Sequence, residues 1–236
     1  MYQLIGPAAL AKWFAWLAGG IAVLVMAVSL LTGRTAAAGG LLLWQFWSSV
    51  GTGVTLGALL LFGVGSTGLF PRLCRLRLFN GLLPDLDGTW RGALVSNWPL
   101  VSARMPVTPA GPPAKPVPAT LRVRARLLTV HLSLETDSRY SDSETVLVGV
   151  SKSGGDVPCL SYLYLNRTPS PVPTDTGIHH GAARLELRHE DGVPTLRGTY
   201  WTDRNWEKGL NTAGTAVFHK VPAAADAQGG RAKEWR

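Results

Sequence analysis

A small set of side chains, spaced two apart in two segments, is the part of this sequence best suited to bind a ligand. The set consists of Tyr162, Tyr164, Tyr200, Thr202 and Arg204. Alternate residues of a β-strand point to the same face, so each segment would project its members together. Aromatic rings, hydroxyls and a guanidinium then suit a ligand that is both planar and anionic, because bases stack on rings and phosphates pair with arginine. The structural alternative is that the tyrosines are half-buried packing residues and that Arg204 pairs with an acid.

Trp90 belongs to a Gly-x-Trp sequence that opens the first strand-like segment after a cluster of turn-forming residues. In a barrel, a Gly-x-Trp at this position often closes one end with its indole ring, as in lipocalin-like proteins. We therefore interpret Trp90 first as a core plug and second as a ligand contact.

The residue types needed for catalysis do not come together in any recognised spacing. The five histidines are scattered, and the adjacent pair His179 and His180 cannot both point at one metal ion from a strand. The sequence contains no phosphate-cradling glycine loop, no GxSxG and no HExxH. It therefore predicts a protein that is not an enzyme and that needs no metal ion or cofactor.

The chain after Pro84 is typical of short β-strands separated by Pro and Gly. One segment, Thr120–Glu135, changes its apolar face near Leu127–Leu128, which predicts a bulge or a sharp bend there. Counting that strand twice gives about eight strands and favours an antiparallel β-barrel, lipocalin-like in general shape. We expect this all-β domain to cover residues 81–221 and the polar tail, residues 222–236, to be disordered.

The first third of the chain is dominated by two long uncharged runs, residues 13–33 and 35–71. About 20 apolar residues suffice for a helix to cross the hydrocarbon core of a bilayer, where a helix satisfies its own backbone. The pattern predicts a two-helix transmembrane hairpin in residues 1–80, with spans at about 11–32 and 42–70. A cleaved signal peptide is the alternative for the first span, although the apolar segment is longer than signal peptides usually have.

The net charge of +8 is concentrated next to the predicted spans. Residues 1–84 contain five Lys and Arg residues and no acid, which accounts for more than half of the excess. Basic residues beside a bilayer set topology and attract anionic lipid, so polymeric nucleic acid is not the expected partner. Because Arg72, Arg75 and Arg77 follow the second span directly, we expect both termini and the β domain to be cytoplasmic.

Small residues recur every four positions in the second span, at Ser49, Gly53 and Gly57. A face of small residues lets two helices approach closely in lipid. The face can pack on the first span within one hairpin, or it can join hairpins in a homo-oligomer. The sequence does not decide between the two.

The order of these segments resembles the effector family of cyclic-oligonucleotide antiphage signalling (CBASS) that has two transmembrane helices and a β-strand-rich domain. The resemblance extends from the first span to about Val221, and its most specific parts are YLYLN at Tyr162–Asn166 and GTYWTDR at Gly198–Arg204. Ser141 and Ser143 match part of the family's run of alternating serines.

The resemblance implies that the barrel binds a cyclic dinucleotide made by a functionally linked cyclic-nucleotide synthase, and it adds Ser141 and Ser143 to the ligand-binding set. It also implies that the hairpin oligomerises and disrupts the inner membrane, with the lipid bilayer as its target. An alternative is a related effector that the nucleotide holds in an inactive state. The sequence is also compatible with a membrane-tethered lipocalin-like carrier of a hydrophobic ligand, whose interior would be aliphatic, and with a structural membrane protein that has a filled barrel.

Overall fold

The computed structural model describes residues 6–32, 40–76, 79, 83–104, 115–136, 142–153, 157–168, 171 and 176–222. These residues form a helical unit and a β unit, with the main boundary in sequence between Leu83 and Pro84. The predicted fold class, a pair of apolar helices followed by an antiparallel β-barrel, is confirmed.

The helices of the first unit are α1 Pro7–Leu31, α2 Gly40–Ser66 and the short α3 Leu69–Cys74. Both α1 and α2 are long and apolar enough to cross a bilayer, and most of their side chains are exposed rather than packed in a core. Two threonine side chains within α2 form local hydrogen bonds. The Thr52 hydroxyl donates to the carbonyl oxygen of Ser48 at 2.9 Å, and the Thr55 hydroxyl donates to that of Gly51 at 2.9 Å.

The two long helices pack against each other in antiparallel directions. Gly53 lies against Ala18 and Ala22, whereas Gly57, one turn later in α2, lies against Ala18 and Phe14, earlier in α1. A Cβ atom at position 53 would overlap the carbonyl oxygen of Ala18 and lie 2.9 Å from Cβ of Ala22. The close approach of the two helices therefore depends on glycine at this position.

Eight antiparallel strands close into a barrel, in which each strand pairs with the next and β1 pairs with β8. The strands are β1 Gly88–Ser96, β2 Val117–Ala125, β3 Val130–Thr136, β4 Asp142–Ser153, β5 Val157–Arg167, β6 Ile178–Glu190, β7 Val193–Thr202 and β8 Ala213–Lys220. A short helix, α4 Trp98–Ser102, follows β1, and a 3₁₀ turn, Trp206–Lys208, follows β7. Every strand therefore has a neighbour on both sides, although β3 and β4 pair at only three positions.

The bend expected within Thr120–Glu135 is wrong, because this segment is two strands and not one. β2 and β3 pair with each other in antiparallel register, and the Arg126 N–H donates to the carbonyl oxygen of Thr129 at 2.7 Å in the turn between them. The apolar residues switch from odd-numbered to even-numbered positions because the chain reverses its direction between β2 and β3. The irregularity in strand register lies instead in β4, between Thr145 and Leu147.

The inward-facing side chains at one end of the barrel form a compact apolar core. We call this the filled end; its fully buried members are Trp90, Leu121, Val150, Leu160, Leu185, Leu196 and Phe218. The segment before β1 packs over it. The indole N–H of Trp90 donates to the carbonyl oxygen of Leu86 at 3.0 Å, and the Lys220 ammonium lies 2.8 Å from the Asp85 carboxylate. Burial of each large side chain here contributes about 1.5–3 kcal/mol to folding.

Candidate functional site

The opposite end of the barrel holds a cavity of about 170 Å³. It lies where β1, β3, β5 and β7 end and where β2, β4, β6 and β8 begin. Six of the predicted ligand-binding residues line it: Ser143, Tyr162, Tyr164, Tyr200, Thr202 and Arg204. The period of two in the sequence predicted that alternate residues of each segment share a face. The structure places these side chains on one interior surface.

Strand register arranges part of the cavity wall, from β4 to β7, in three layers. The inner layer is Tyr162, Ala183 and Tyr200; the middle layer is Tyr164, Gly181 and Thr202; the outer layer, which we call the rim row, is Ser143, Asn166, His179 and Arg204. Arg204 belongs to the rim row because β6 and β7 remain bonded just past their last ladder pair. The Asp203 N–H donates to the carbonyl oxygen of His180 at 2.9 Å, and the His180 N–H donates to the Asp203 carboxylate at 2.6 Å. Polarity and charge thus increase from the inner layer to the rim row.

The tyrosines supply rings and neutral hydroxyls. The rings of Tyr162 and Tyr164 are 5.8 Å apart between centroids and tilted by 42°. Burial raises the pKa of both phenols well above the ordinary value. Burial also raises the pKa of Tyr200, an effect that a hydrogen bond with Ser96 partly offsets. All three hydroxyls are therefore protonated at neutral pH and can donate hydrogen bonds.

Two glycines set the positions of two of these rings. Gly181 is the cross-strand partner of Tyr164, and Gly214 is that of Tyr200. A Cβ atom at position 181 would overlap the phenol of Tyr164, and one at position 214 would lie 2.7 Å from the Tyr200 ring. Each ring thus lies over backbone that carries no side chain, which keeps it against the wall instead of across the cavity.

Arg204 lies against an aromatic ring. Its guanidinium carbon is 4.9 Å from the ring centroid of Trp98, on α4. This distance is that of a cation–π contact, and the planar guanidinium carries its N–H donors at its edge. The half-buried Arg204 is the permanently charged side chain among the described residues that line the cavity.

Thr202 lines the cavity but is already bonded within the wall. Its hydroxyl lies 3.0 Å from that of Thr212 and accepts the Thr212 N–H at 3.2 Å. Both residues are buried. Thr202 therefore links β7 to the start of β8. Part of the hydrogen-bonding capacity of its hydroxyl is taken up by this link.

The remaining two predicted ligand residues have different positions. Trp90 is fully buried in the filled end and is not among the residues that line the cavity, in agreement with the plug interpretation that we put first. Ser141 lies outside the described residues, and its role stays a prediction. Its neighbour in the serine pattern, Ser143, donates from its hydroxyl to the carbonyl oxygen of Leu134 at 3.3 Å.

Sequence reasoning missed the other lining residues, of which Trp98, Asn166 and His179 bear most on the chemistry of a ligand. Asn166 follows Tyr164 by two positions and His179 precedes Gly181 by two, so the period of two could have identified both once the strands were paired. Trp98 reaches the cavity from α4, and no periodic signal in the sequence indicates that placement.

The small-residue face of α2 is occupied by α1 in the single chain. Ser49 is buried, and Gly53 and Gly57 contact α1 directly. Of the two uses that the sequence left open, packing within one hairpin is thus observed. A role of the same face in oligomerisation stays a prediction.

In the part of the chain that the structure describes, no group of three or more His, Cys, Asp or Glu side chains could hold a metal ion. Cys74 and Cys159 are buried and are not joined in a disulfide. The chemistry that the described cavity offers is stacking, hydrogen bonding and charge pairing.

Comparison with known proteins adds a second line of evidence. No protein-family model matches the chain. Among curated proteins, the chain is similar to CD-NTase-associated protein 15 of Escherichia albertii, with 28% identity over 137 residues, which are 58% of this chain and 62% of that protein. The aligned part thus spans about three fifths of the relative's length. The two apolar helices, the closed eight-stranded barrel and this similarity together confirm the resemblance to the CBASS effector family with two transmembrane helices and a β-strand-rich domain.

Proposed function

We propose that this protein is a membrane-anchored effector of antiphage defence that senses a cyclic dinucleotide with the cavity end of its barrel. The observation that carries the proposal is the convergence of three tyrosines and one arginine on a single cavity. The name of the relative, a protein associated with a CD-NTase, supports a functional link to a cyclic-nucleotide synthase. The role is that of a receptor and effector without catalysis.

The chemistry of the wall fits a ligand that combines flat bases with phosphates. Tyr162, Tyr164 and Tyr200 offer ring faces for stacking and protonated hydroxyls for hydrogen bonds to base edges. Arg204 offers a planar fork of donors, which matches a phosphate better than a point charge would. A cyclic dinucleotide carries both features in one molecule.

The size of the cavity suggests how such a ligand would enter. Sites that enclose a drug-sized molecule are usually about 300–1,000 Å³. A cavity of about 170 Å³ is smaller than that, so it would take a part of the ligand. We propose that one base enters between the tyrosines of the inner and middle layers, while a phosphate meets Arg204 in the rim row.

The lipocalin-like carrier is less favoured by the lining of the cavity. A carrier of hydrophobic ligands would have an aliphatic interior, whereas the described lining includes Arg204, His179 and Asn166 beside the three tyrosines. A purely structural barrel would be filled throughout, whereas one end of this barrel contains the cavity. The carrier and the structural barrel both predict that cyclic dinucleotides do not bind.

The ligand would act through a coupling free energy. If the cyclic dinucleotide binds the barrel better in one state of the hairpin than in another, it shifts the population of hairpin assemblies. We propose that the shift favours a homo-oligomer that disrupts the inner membrane and causes cell death. A coupling free energy of the opposite sign, in which the nucleotide holds the effector inactive, predicts less membrane damage when ligand is added.

The experiment that tests the receptor function is a thermal unfolding series on the full chain in lipid nanodiscs, with cyclic di-AMP, cyclic di-GMP and cyclic GMP–AMP. A ligand that binds only the folded state stabilises it by about 2.7 kcal/mol at a hundred times Kd. We expect at least one of them to raise the Tm, and Arg204→Ala to abolish that increase.

Arg197→Ala is the matched control, because Arg197 is an exposed arginine on β7 that pairs with Glu190 at 3.3 Å. It should respond to ligand like the unmodified protein. If none of the three nucleotides changes the Tm of the unmodified protein, the receptor function is wrong. If Arg204→Ala unfolds the barrel without ligand, the structural interpretation of that residue is correct.

The membrane step can be tested separately, by the leakage of a small dye from cells that express the protein. Gly53→Ile would drive a branched side chain into α1, whereas Gly51, in the same helix, faces open space and provides the control Gly51→Ile. We expect leakage to fall for the first variant only, at equal expression. Equal leakage for both would contradict a role for this face, and chemical crosslinking with and without ligand would report on the homo-oligomer.

We propose that both termini are cytoplasmic, since basic residues including Arg72 and Arg75 follow the second span. A reporter fused after Arg236 that is active only in the cytoplasm should then be active. Activity of a periplasmic reporter at the same position would contradict both this topology and access to a cytoplasmic messenger.

A further inference from the structure

His179 lines the cavity, but it is not among the predicted ligand-binding residues and the receptor function proposed above assigns it no ligand contact. It lies at the start of β6, faces the interior and is only 8% exposed. Its cross-strand partner on β5 is Asn166, and the partner of Asn166 on β4 is Ser143. His179 is therefore in the rim row, at the level that Arg204 occupies on the other side of β6.

The two ring nitrogens of His179 differ in their surroundings. Nε2 lies 3.2 Å from the amide nitrogen of Asn166. An amide N–H can only donate, so Nε2 is the acceptor and the neutral ring carries its proton on Nδ1. Nδ1 is buried and has no hydrogen-bond partner among the described residues. Nδ1–H is thus a buried donor without a partner there, on a residue that lines the cavity.

Burial of the ring favours its neutral form over the effects of the charged and titratable groups around it. Burial lowers the pKa of His179; the carboxylate of Asp203 opposes this and the neighbouring His180 adds to it. Tyr164, on β5 in the middle layer, is protonated and contributes a dipole rather than a charge. Arg204, the charged member of the rim row, disfavours a second cation there. The ring is therefore a donor through Nδ1–H at neutral pH.

A buried donor without a partner destabilises the folded protein, and such groups in native proteins generally have a reason. Here the orphan atom belongs to a residue that lines the cavity, in the same row as the guanidinium assigned to a phosphate. A ligand oxygen that Arg204 attracts to the rim row would come within the same layer as Nδ1. The cost of the orphan donor would then be recovered only when ligand is bound.

We propose that His179 is a ligand-binding residue that donates a hydrogen bond from Nδ1 to a phosphate oxygen of the cyclic dinucleotide, with Asn166 as the positioning residue that fixes the tautomer. This inference rests on the proposed receptor function and adds a second phosphate contact beside Arg204. Because phosphate is common to all cyclic dinucleotides, the contribution of His179 is independent of which bases the ligand carries.

The test compares three substitutions in the full chain in lipid nanodiscs, with Kd measured for cyclic di-AMP, cyclic di-GMP and cyclic GMP–AMP. His179→Phe removes both nitrogens, His179→Gln keeps a donor near the position of Nε2, and His179→Asn keeps one near that of Nδ1. We expect the first two to weaken binding about tenfold, as for a lost hydrogen bond to a charged group, and His179→Asn to recover most of that loss.

The control for loss of a histidine is His189→Phe, an exposed position near the other end of β6. A spectroscopic readout accompanies the affinities: the ¹⁵N shift of Nδ1 should report a protonated nitrogen in the free protein, and its proton should move downfield when ligand is added. A role in packing alone would change Tm without this signature.

Equal affinity for all three variants and the unmodified protein would overturn the proposal while leaving the receptor function intact. So would a His179→Asn that binds as weakly as His179→Phe, or a loss that differs between adenine and guanine ligands. Absence of binding by the unmodified protein to all three nucleotides would overturn the receptor function, and this inference with it.

Discussion

The two ends of the barrel are built from the same eight strands but have opposite interiors. At the filled end, Trp90, Leu196 and Phe218 are completely buried and pack against other apolar side chains. At the cavity end, the continuations of those strands carry tyrosines, hydroxyls, an arginine and a histidine around open volume. The difference shows that one alternating pattern can provide stability at one end of a barrel and recognition at the other.

The change from apolar core residues to polar cavity residues occurs along individual strands. On β6, the inward-facing residues change from Leu187 and Leu185 through Ala183 and Gly181 to His179. Side chains therefore become smaller and then polar toward the cavity. A substitution near Leu185 should act on folding, whereas a substitution near His179 should act on the ligand.

The largest effect should come from the filled end. Leu196→Ala removes a fully buried side chain from a packed core, and we expect a loss of about 2–5 kcal/mol in unfolding free energy. Leu147→Ala, at a position on β4 that is 67% exposed, is the control and should change stability by less than about 0.5 kcal/mol. Unfolding followed by tryptophan fluorescence measures both. Equal, small losses would show that the filled end does not carry the stability of the barrel.

An intermediate effect should come from Gly181→Ala at the cavity end. The added methyl group would overlap the phenol of Tyr164, which is the flexible end of a side chain and can move into the cavity. We expect ligand affinity to fall about tenfold, or about 1.4 kcal/mol, with a smaller change in stability.

The double variant Gly181→Ala with Tyr164→Ala isolates that contact. In the absence of the ring, the methyl group has nothing to displace, so Gly181→Ala should have no additional effect on Kd. An equal additional loss with and without the ring would mean that Gly181 acts through the backbone instead.

The smallest effect concerns pH. Burial lowers the pKa of His179 in the folded protein, so the unfolded chain binds a proton first as the pH falls below about 6.5. His179 therefore contributes little to the pH dependence of stability well above that value and destabilises the fold increasingly as the pH falls through it. We expect His179→Asn to lose less unfolding free energy than the unmodified protein between pH 7.5 and pH 5.5. Parallel losses would show that His179 titrates alike in both states.

Alternation along strands was sufficient to predict five of the residues that line the cavity, and the Gly-x-Trp sequence was sufficient to predict Trp90 at the filled end. Alternation placed Tyr162 with Tyr164, and Tyr200 with Thr202 and Arg204, on shared faces without knowledge of pairing. That both faces point into the barrel is seen only in the structure. The pattern failed where the answer depends on which segments of the chain pair with each other. Residues on either side of the turn between β2 and β3 were read as one bent strand, since alternation does not reveal that a chain has reversed.

The pattern also could not identify partners across strands. His179 and Asn166 become one site only through the register of β5 and β6, and the space over Gly181 matters only because Tyr164 is its neighbour. The helices show the same limit. Apolar length predicted two spans, but the occupation of the small-residue face by α1 depends on how the helices pack.

The central claim, that the cavity end of the barrel holds the ligand, is tested most directly by photoaffinity labelling. The full chain in lipid nanodiscs is irradiated with a cyclic dinucleotide that carries an azido group on one base, and the labelled peptides are identified by mass spectrometry. Our account predicts labelling of β5 or β7 at Tyr162, Tyr164 or Tyr200, and its suppression by excess unmodified nucleotide. Specific labelling confined to the exterior, for example at the exposed Trp201, would contradict it.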